Sequence, residues 1–112
     1  MIYARFCLDE KSPFMGFEVT GHADWADRGE DVVCASVSSA VQLVCNTITD
    51  HFGVDADVRV SDGEICLYLP EGVKQEDPSS KLLDSFCTHL RYISDDYPGT
   101  IKVSVVRQLK TR

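Results

Sequence analysis

Along the first twenty residues, apolar side chains recur at every second position. Ile2, Ala4, Phe6 and Leu8 alternate with Tyr3, Arg5 and Cys7, and Asp9, Lys11, Ser12 and Pro13 then interrupt the run. That period predicts a strand over Met1 to Leu8. Phe14 to Thr20 predicts a second strand, with Gly16 a candidate bulge, and the short connection predicts an antiparallel hairpin. From Val33 to Phe52 the spacing changes. Val37, Ala40 or Val41, Val44, Ile48 and Phe52 recur at three- and four-residue steps, one stripe of an amphipathic helix with Gly53 as its stop.

Alternation returns with Ala56, Val58 and Val60, the turn pair Asp62-Gly63, and Ile65, Leu67 and Leu69. Asp-Gly between two alternating runs is the strongest hairpin signal in the chain. After a polar loop with Pro78 near a helix start, Leu82, Leu83, Phe86, Cys87, Leu90 and Ile93 predict a helix over Lys81 to Ile93. Pro98-Gly99 ends it, and Ile101, Val103 and Val105 predict a last strand. The order β-β-α-β-β-α-β implies an α+β two-layer sandwich: a mostly antiparallel sheet with two helices on one face. At 112 residues there is room for one domain and one core. A sheet with apolar side chains left on its outer face would have a reason to dimerise.

Composition narrows the function classes. A formal net charge of −7 argues against a nucleic-acid partner, because a phosphate backbone calls for a basic surface. The pattern contains no run approaching the ~20 apolar residues of a bilayer span. The first residues lack the basic-then-apolar layout of a secretory signal, so a cytoplasmic location is expected. There are five cysteines, an odd number, with no C-x-x-C pair, which suits neither a disulfide framework nor a metal site. No cofactor or metal is expected. Cys7, Cys45, Cys66 and Cys87 fall in apolar-periodic segments, where a thiol serves as a small hydrophobe. Cys34, among small and polar residues, stands apart.

Cys34 also sits near the predicted start of the first helix, where unpaired N–H groups and the positive end of the helix dipole favour a thiolate. Those amides, at Cys34 and Ala35, could hold the oxyanion of an attacked carbonyl; a cysteine that merely packs is the plainer alternative. His22 follows the second strand and could reach Cys34 across the intervening loop, taking the thiol proton and returning it to a leaving amine. It could equally be a loop histidine bonded to a carboxylate. Asp31 is either an N-cap that orders the loop, the favoured reading, or a carboxylate that orients His22. Ser38, one turn beyond Cys34, could bond the sulfur or a substrate group, or be solvated. Gly21 and Gly29 bracket the loop as candidate hinges. Asp24, Asp27, Glu30 and Asp31, opposed by Arg28, make the segment acidic, a solvated loop or a surface attractive to a basic peptide. Trp25 lies among them.

The run Gly21-His22-Ala23, then Gly29, Asp31, Val33-Cys34-Ala35, Val37 and Ser38, resembles the signature of the bacterial ribosomal-processing cysteine proteases, Prp, and the similarity extends over essentially the whole chain. It implies a single Prp-like domain over residues 1–112, a homodimer, and a catalytic pair at His22 and Cys34. Asp31 and Ser38 would be the supporting acid and hydroxyl, and Gly21 the flexible glycine. It implies a substrate as well: the precursor of large-subunit ribosomal protein twenty-seven, whose short N-terminal extension is removed by a cut after an aromatic pair. Two other classes fit the residues. One is a non-enzymatic assembly or adaptor module for a basic ribosomal protein; the other is a thiol redox sensor at Cys34.

Overall fold

The computed structural model describes residues 1–10, 13–21 and 28–107, with the side chains of 28–31 excepted. Two strands, β1 (Ile2–Leu8) and β2 (Phe14–Thr20), form the first hairpin. Next comes helix α1 (Arg28–Asn46), which widens into one π-helical stretch at Thr47–His51. β3 (Asp57–Ser61) and β4 (Glu64–Tyr68) make the second hairpin. Helix α2 (Pro78–Asp96) and strand β5 (Ile101–Arg107) complete the chain.

The sheet runs β3-β4-β2-β1-β5, antiparallel throughout except where β5 lies parallel to β1. The alternation read from sequence sets its two faces. Ile2, Ala4, Phe6, Phe17, Val19, Leu67 and Ile101 point to the helix side and are buried. Val33, Val37, Val41, Val44 and Ile48 of α1, with Leu83, Phe86, Cys87 and Leu90 of α2, close the same core from above. Both helices therefore lie on one face of an α+β sandwich, as the pattern predicts.

Local chemistry explains the element ends. Asp77 caps α2 by accepting a 2.8 Å hydrogen bond from the Ser79 amide, with Pro78 at the first helical position. The Ser80 hydroxyl then donates to the Phe14 carbonyl at 2.9 Å, pinning the start of α2 to β2. Gly53, at φ +68°, ends the first helical segment in the left-handed conformation, and the Val54 amide reaches back to the Ile48 carbonyl.

Four sequence expectations change. α1 starts at Arg28 rather than near Val33, so Asp31 is a residue of its first turn and not its N-cap. Gly16 does not form the bulge, because the register slips past Met15 instead. What Gly16 provides is closeness: a Cβ there would collide with the Leu67 carbonyl and the Tyr68 ring of β4. Gly16→Ala should accordingly destabilise the protein by about 1–3 kcal/mol, measurable as a lower denaturant midpoint. Val58 and Val60 share the helix-side face, yet are 36% and 72% exposed because, among the described residues, no helix reaches over β3. Lastly, Val32–His51 is, by length and composition alone, apolar enough to cross a membrane, with mean hydropathy 1.5. Its buried stripe of valines and Ile48 nevertheless belongs to the core of the sandwich, so it is the core helix of this fold.

Candidate active site

Cys34 is the seventh residue of α1, half-buried against the edge of the core. Ser38 stands one turn further on the same flank and is exposed. Cys34 and Ala35 therefore lie in the body of the helix, where each amide has a carbonyl four residues earlier as its partner. The amides without such partners belong to the first turn. The expectation that the backbone N–H groups of Cys34 and Ala35 form an oxyanion hole rested on a helix start near Val33, whereas α1 starts at Arg28. The difference is a helix that begins about a turn and a half early.

Gly21 ends β2 at φ +86°, with its amide donating to the Gly63 carbonyl at 3.1 Å. A Cβ at Gly21 would come 2.5 Å from the Met1 carbonyl, so the chain leaves the sheet here through a position only glycine fits. Gly29, expected as the other loop hinge, is instead inside the first turn of α1. His22 and the segment to Asp27, including Trp25, lie outside the described residues, as does the side chain of Asp31. The structure thus places Cys34 and Ser38 together on α1, with Gly21 at the sheet end from which residue 22 continues.

The other cysteines behave as the apolar pattern predicts. Cys7, Cys66 and Cys87 are buried, and burial pushes the thiols of Cys66 and Cys87 up. Cys45, half-buried, is pushed up to about 11 by desolvation and by the neighbouring Cys66 of β4. At pH 8 a thiol of that kind is ionised in only about one molecule in a thousand. Brief treatment with iodoacetamide at pH 8 should therefore alkylate Cys34 first and leave Cys45, Cys66 and Cys87 unmodified, as peptide mass spectrometry would read directly. Among the described residues no group of three or more His, Cys, Asp or Glu could hold a metal ion.

Two surface depressions flank these elements. A groove of about 600 Å³ runs between α1 and α2, with Ser36, Ser39 and Leu43 on one wall and Leu82, Ser85 and His89 on the other. On the outer sheet face, a depression of about 480 Å³ is lined by Tyr3, Arg5, Glu18, Thr20, Lys102 and Ser104. There Arg5 donates to Glu18 at 2.7 Å, and the Tyr68 hydroxyl donates to the same carboxylate. Cys34 lines neither. Neither feature was visible in the sequence, because each depends on which strands and helices become neighbours.

A half-buried thiol on a core helix, set beyond a glycine-anchored exit from a mostly antiparallel sheet, is what this α+β fold offers for chemistry. Comparison with known proteins makes the class specific. The family model described as cysteine protease Prp matches residues 1–102, and the chain belongs to that family. It is a cysteine protease. A curated relative, the ribosomal processing cysteine protease Prp of Bacillus subtilis, is 28% identical over 108 residues, covering 93% of this chain and 96% of its own. Among solved structures, the ribosomal processing protease Prp from S. aureus in complex with a substrate peptide superposes with a TM-score of 0.84. Its identity is 20%, covering 94% of this chain and 99% of that one. The protein SMU.848 from Streptococcus mutans gives the same TM-score at 22% identity, covering 96% and 99%.

Proposed function

We propose that this protein is a ribosomal-processing endopeptidase that removes the short N-terminal extension of large-subunit ribosomal protein twenty-seven, cutting after an aromatic pair. Cys34 is the nucleophile and His22 its proton-transfer partner. The observation that carries this reading is family membership across residues 1–102, combined with the setting of Cys34 as the cysteine outside the apolar pattern. The Bacillus subtilis relative is named for ribosomal processing, and the S. aureus relative has been captured with a covalently linked product peptide. A covalent product is what a thiol nucleophile leaves behind.

The chemistry follows from the groups. His22 accepts the Cys34 proton as sulfur attacks the scissile carbonyl. The same imidazolium protonates the leaving amine, and water then hydrolyses the thioester. Ser38, on the flank of Cys34, is within reach of substrate or sulfur, and Asp31 orders the start of α1 or orients His22. Gly21, pinned between Met1 and Gly63, sets the point at which the chain leaves β2 for His22. The net charge of −7 suits a basic substrate. The enzyme acts in the cytoplasm as a homodimer, without metal or cofactor; sedimentation tests the dimer.

The deciding experiment is mass spectrometry of a peptide spanning the extension, incubated with the wild type, Cys34→Ala and His22→Ala. A single cut after the aromatic pair, lost in both variants, is the expected result. An uncut peptide and uncut full-length precursor that still bind would instead favour the adaptor reading.

A further inference from the structure

Among the described residues, Gly21, Gly53, Gly63, Gly72 and Gly99 adopt left-handed backbone angles. At all but Gly21 a Cβ would meet nothing within 4 Å, so those glycines supply a backbone angle rather than space. Gly53 ends a helical segment, and Gly72 and Gly99 turn the chain between elements. Gly63 differs in what its carbonyl does. From the two-residue turn between β3 and β4, at φ +78°, it accepts the Gly21 amide at 3.1 Å.

That hydrogen bond falls where the sheet hands the chain on toward the site. The β2–β4 ladder closes with Thr20 opposite Glu64, and Gly21 and Gly63 are the next residues on either side. Toward β1, Gly21 is hemmed in, since a Cβ there would come 2.5 Å from the Met1 carbonyl. Residue 21 is thus held by close packing on one side and by a single hydrogen bond on the other. The next residue is the histidine assigned to the dyad. A residue at 63 that resists a positive φ would rotate the peptide plane and withdraw the acceptor from Gly21.

We propose that Gly63 is a positioning residue for proteolysis: its left-handed backbone holds the carbonyl that anchors Gly21, and so fixes the angle at which the chain enters His22. The inference rests on the dyad reading above. Misplacing a catalytic group by about 1 Å costs on the order of 10²-fold in rate. Losing one of two holds on Gly21 should cost less, about tenfold, and should fall on kcat because no contact with substrate is removed.

The test is a graded series at one position, because valine resists the left-handed region most and asparagine tolerates it best. On the extension peptide, kcat should fall about tenfold in Gly63→Val and about threefold in Gly63→Ala, and stay within about twofold in Gly63→Asn. KM should stay within about twofold throughout. Gly72→Val is the control, since it meets the same strain and the same open space beyond the far end of β4. Its melting temperature should fall as far as that of Gly63→Val while kcat is unchanged. The pH profile of kcat/KM should move in Gly63→Val and not in Gly72→Val, which lost stability alone would not do. The Gly21 amide should also exchange faster with deuterium in Gly63→Val. Equal kcat in Gly63→Val and Gly72→Val would overturn the proposal. So would a fall in Gly63→Asn as deep as in Gly63→Val, which would assign the effect to the side chain, or a raised KM at unchanged kcat, which would place the turn against substrate. If Gly63→Val does not fold, Gly63→Ala against Gly72→Ala carries the same comparison. Full cleavage by His22→Ala would overturn the dyad and this proposal with it, a result distinct from all the others.

Discussion

Cys34→Ala is expected to lower the rate of peptide cleavage by about 10³-fold or more, with the fold unchanged. The substitution removes one sulfur from a half-buried position on α1, where the neighbouring stripe of Val33, Val37, Val41 and Val44 already fills the core. Little packing is lost, so a fall in rate of that size must come from the chemistry. Cys34→Ser preserves size and hydrogen bonding but replaces a thiol with a far less acidic hydroxyl, and should be nearly as inactive. His22→Ala should match it, and the double variant should be scarcely worse than either single one if, as proposed, the two residues act on one proton. Single-turnover mass spectrometry of the peptide, with circular dichroism as the folding control, measures all four. Cleavage at the wild-type rate by both Cys34 variants would sink the dyad.

Most of the fold could be read from local spacing, because the information needed was local. Seven strand or helix segments, the Asp62-Gly63 turn and the Gly53 stop each follow from neighbours within a few positions. The readings that changed all depend on something further away. Glu30 and Asp31 carry charges that favour the first turn of a helix, but an aspartate also makes a good N-cap, so the acidic stretch before Val33 is compatible with more than one starting point. Val58 and Val60 alternate like core residues, and whether a helix lies over them is decided by the placement of α1 and α2 rather than by the strand. The parallel pairing of β5 with β1 joins residues 99 positions apart, such as Ile2 and Ile101, which no short window contains.

The candidate site divides the same way. Cys34 was legible because its surroundings contrast with the buried contexts of Cys7, Cys66 and Cys87. Its depth in the helix was not, because the start of α1 was not. The hydrogen bond from Gly21 to Gly63 could not be read from sequence either, since the turn that lies beside the end of β2 is a property of strand order.

The largest stability effect should come from Phe86→Ala, at about 3–5 kcal/mol. Phe86 is 3% exposed and stands where α2 meets the sheet, its ring 5.5 Å from Phe6 and 5.1 Å from Phe17, both edge-on. Phe6 and Phe17 are themselves directly paired across β1 and β2. Truncation would open a cavity between two rings that the β1–β2 ladder holds in place, so neither can move far to fill it. Leu83 and Leu90, a turn either side on α2, are fully buried and already committed to the same core. The melting temperature should fall by roughly 4 °C or more for each kcal/mol lost, read by a thermal melt with a denaturant curve as check. Because Phe86 also touches the α1–α2 groove, measuring KM alongside stability separates two kinds of damage. Phe86→Ala should lower stability while the surviving folded fraction cleaves with near-normal KM, since Cys34 lies on the flank of α1 opposite that groove. A raised KM in folded Phe86→Ala would instead place substrate in that groove.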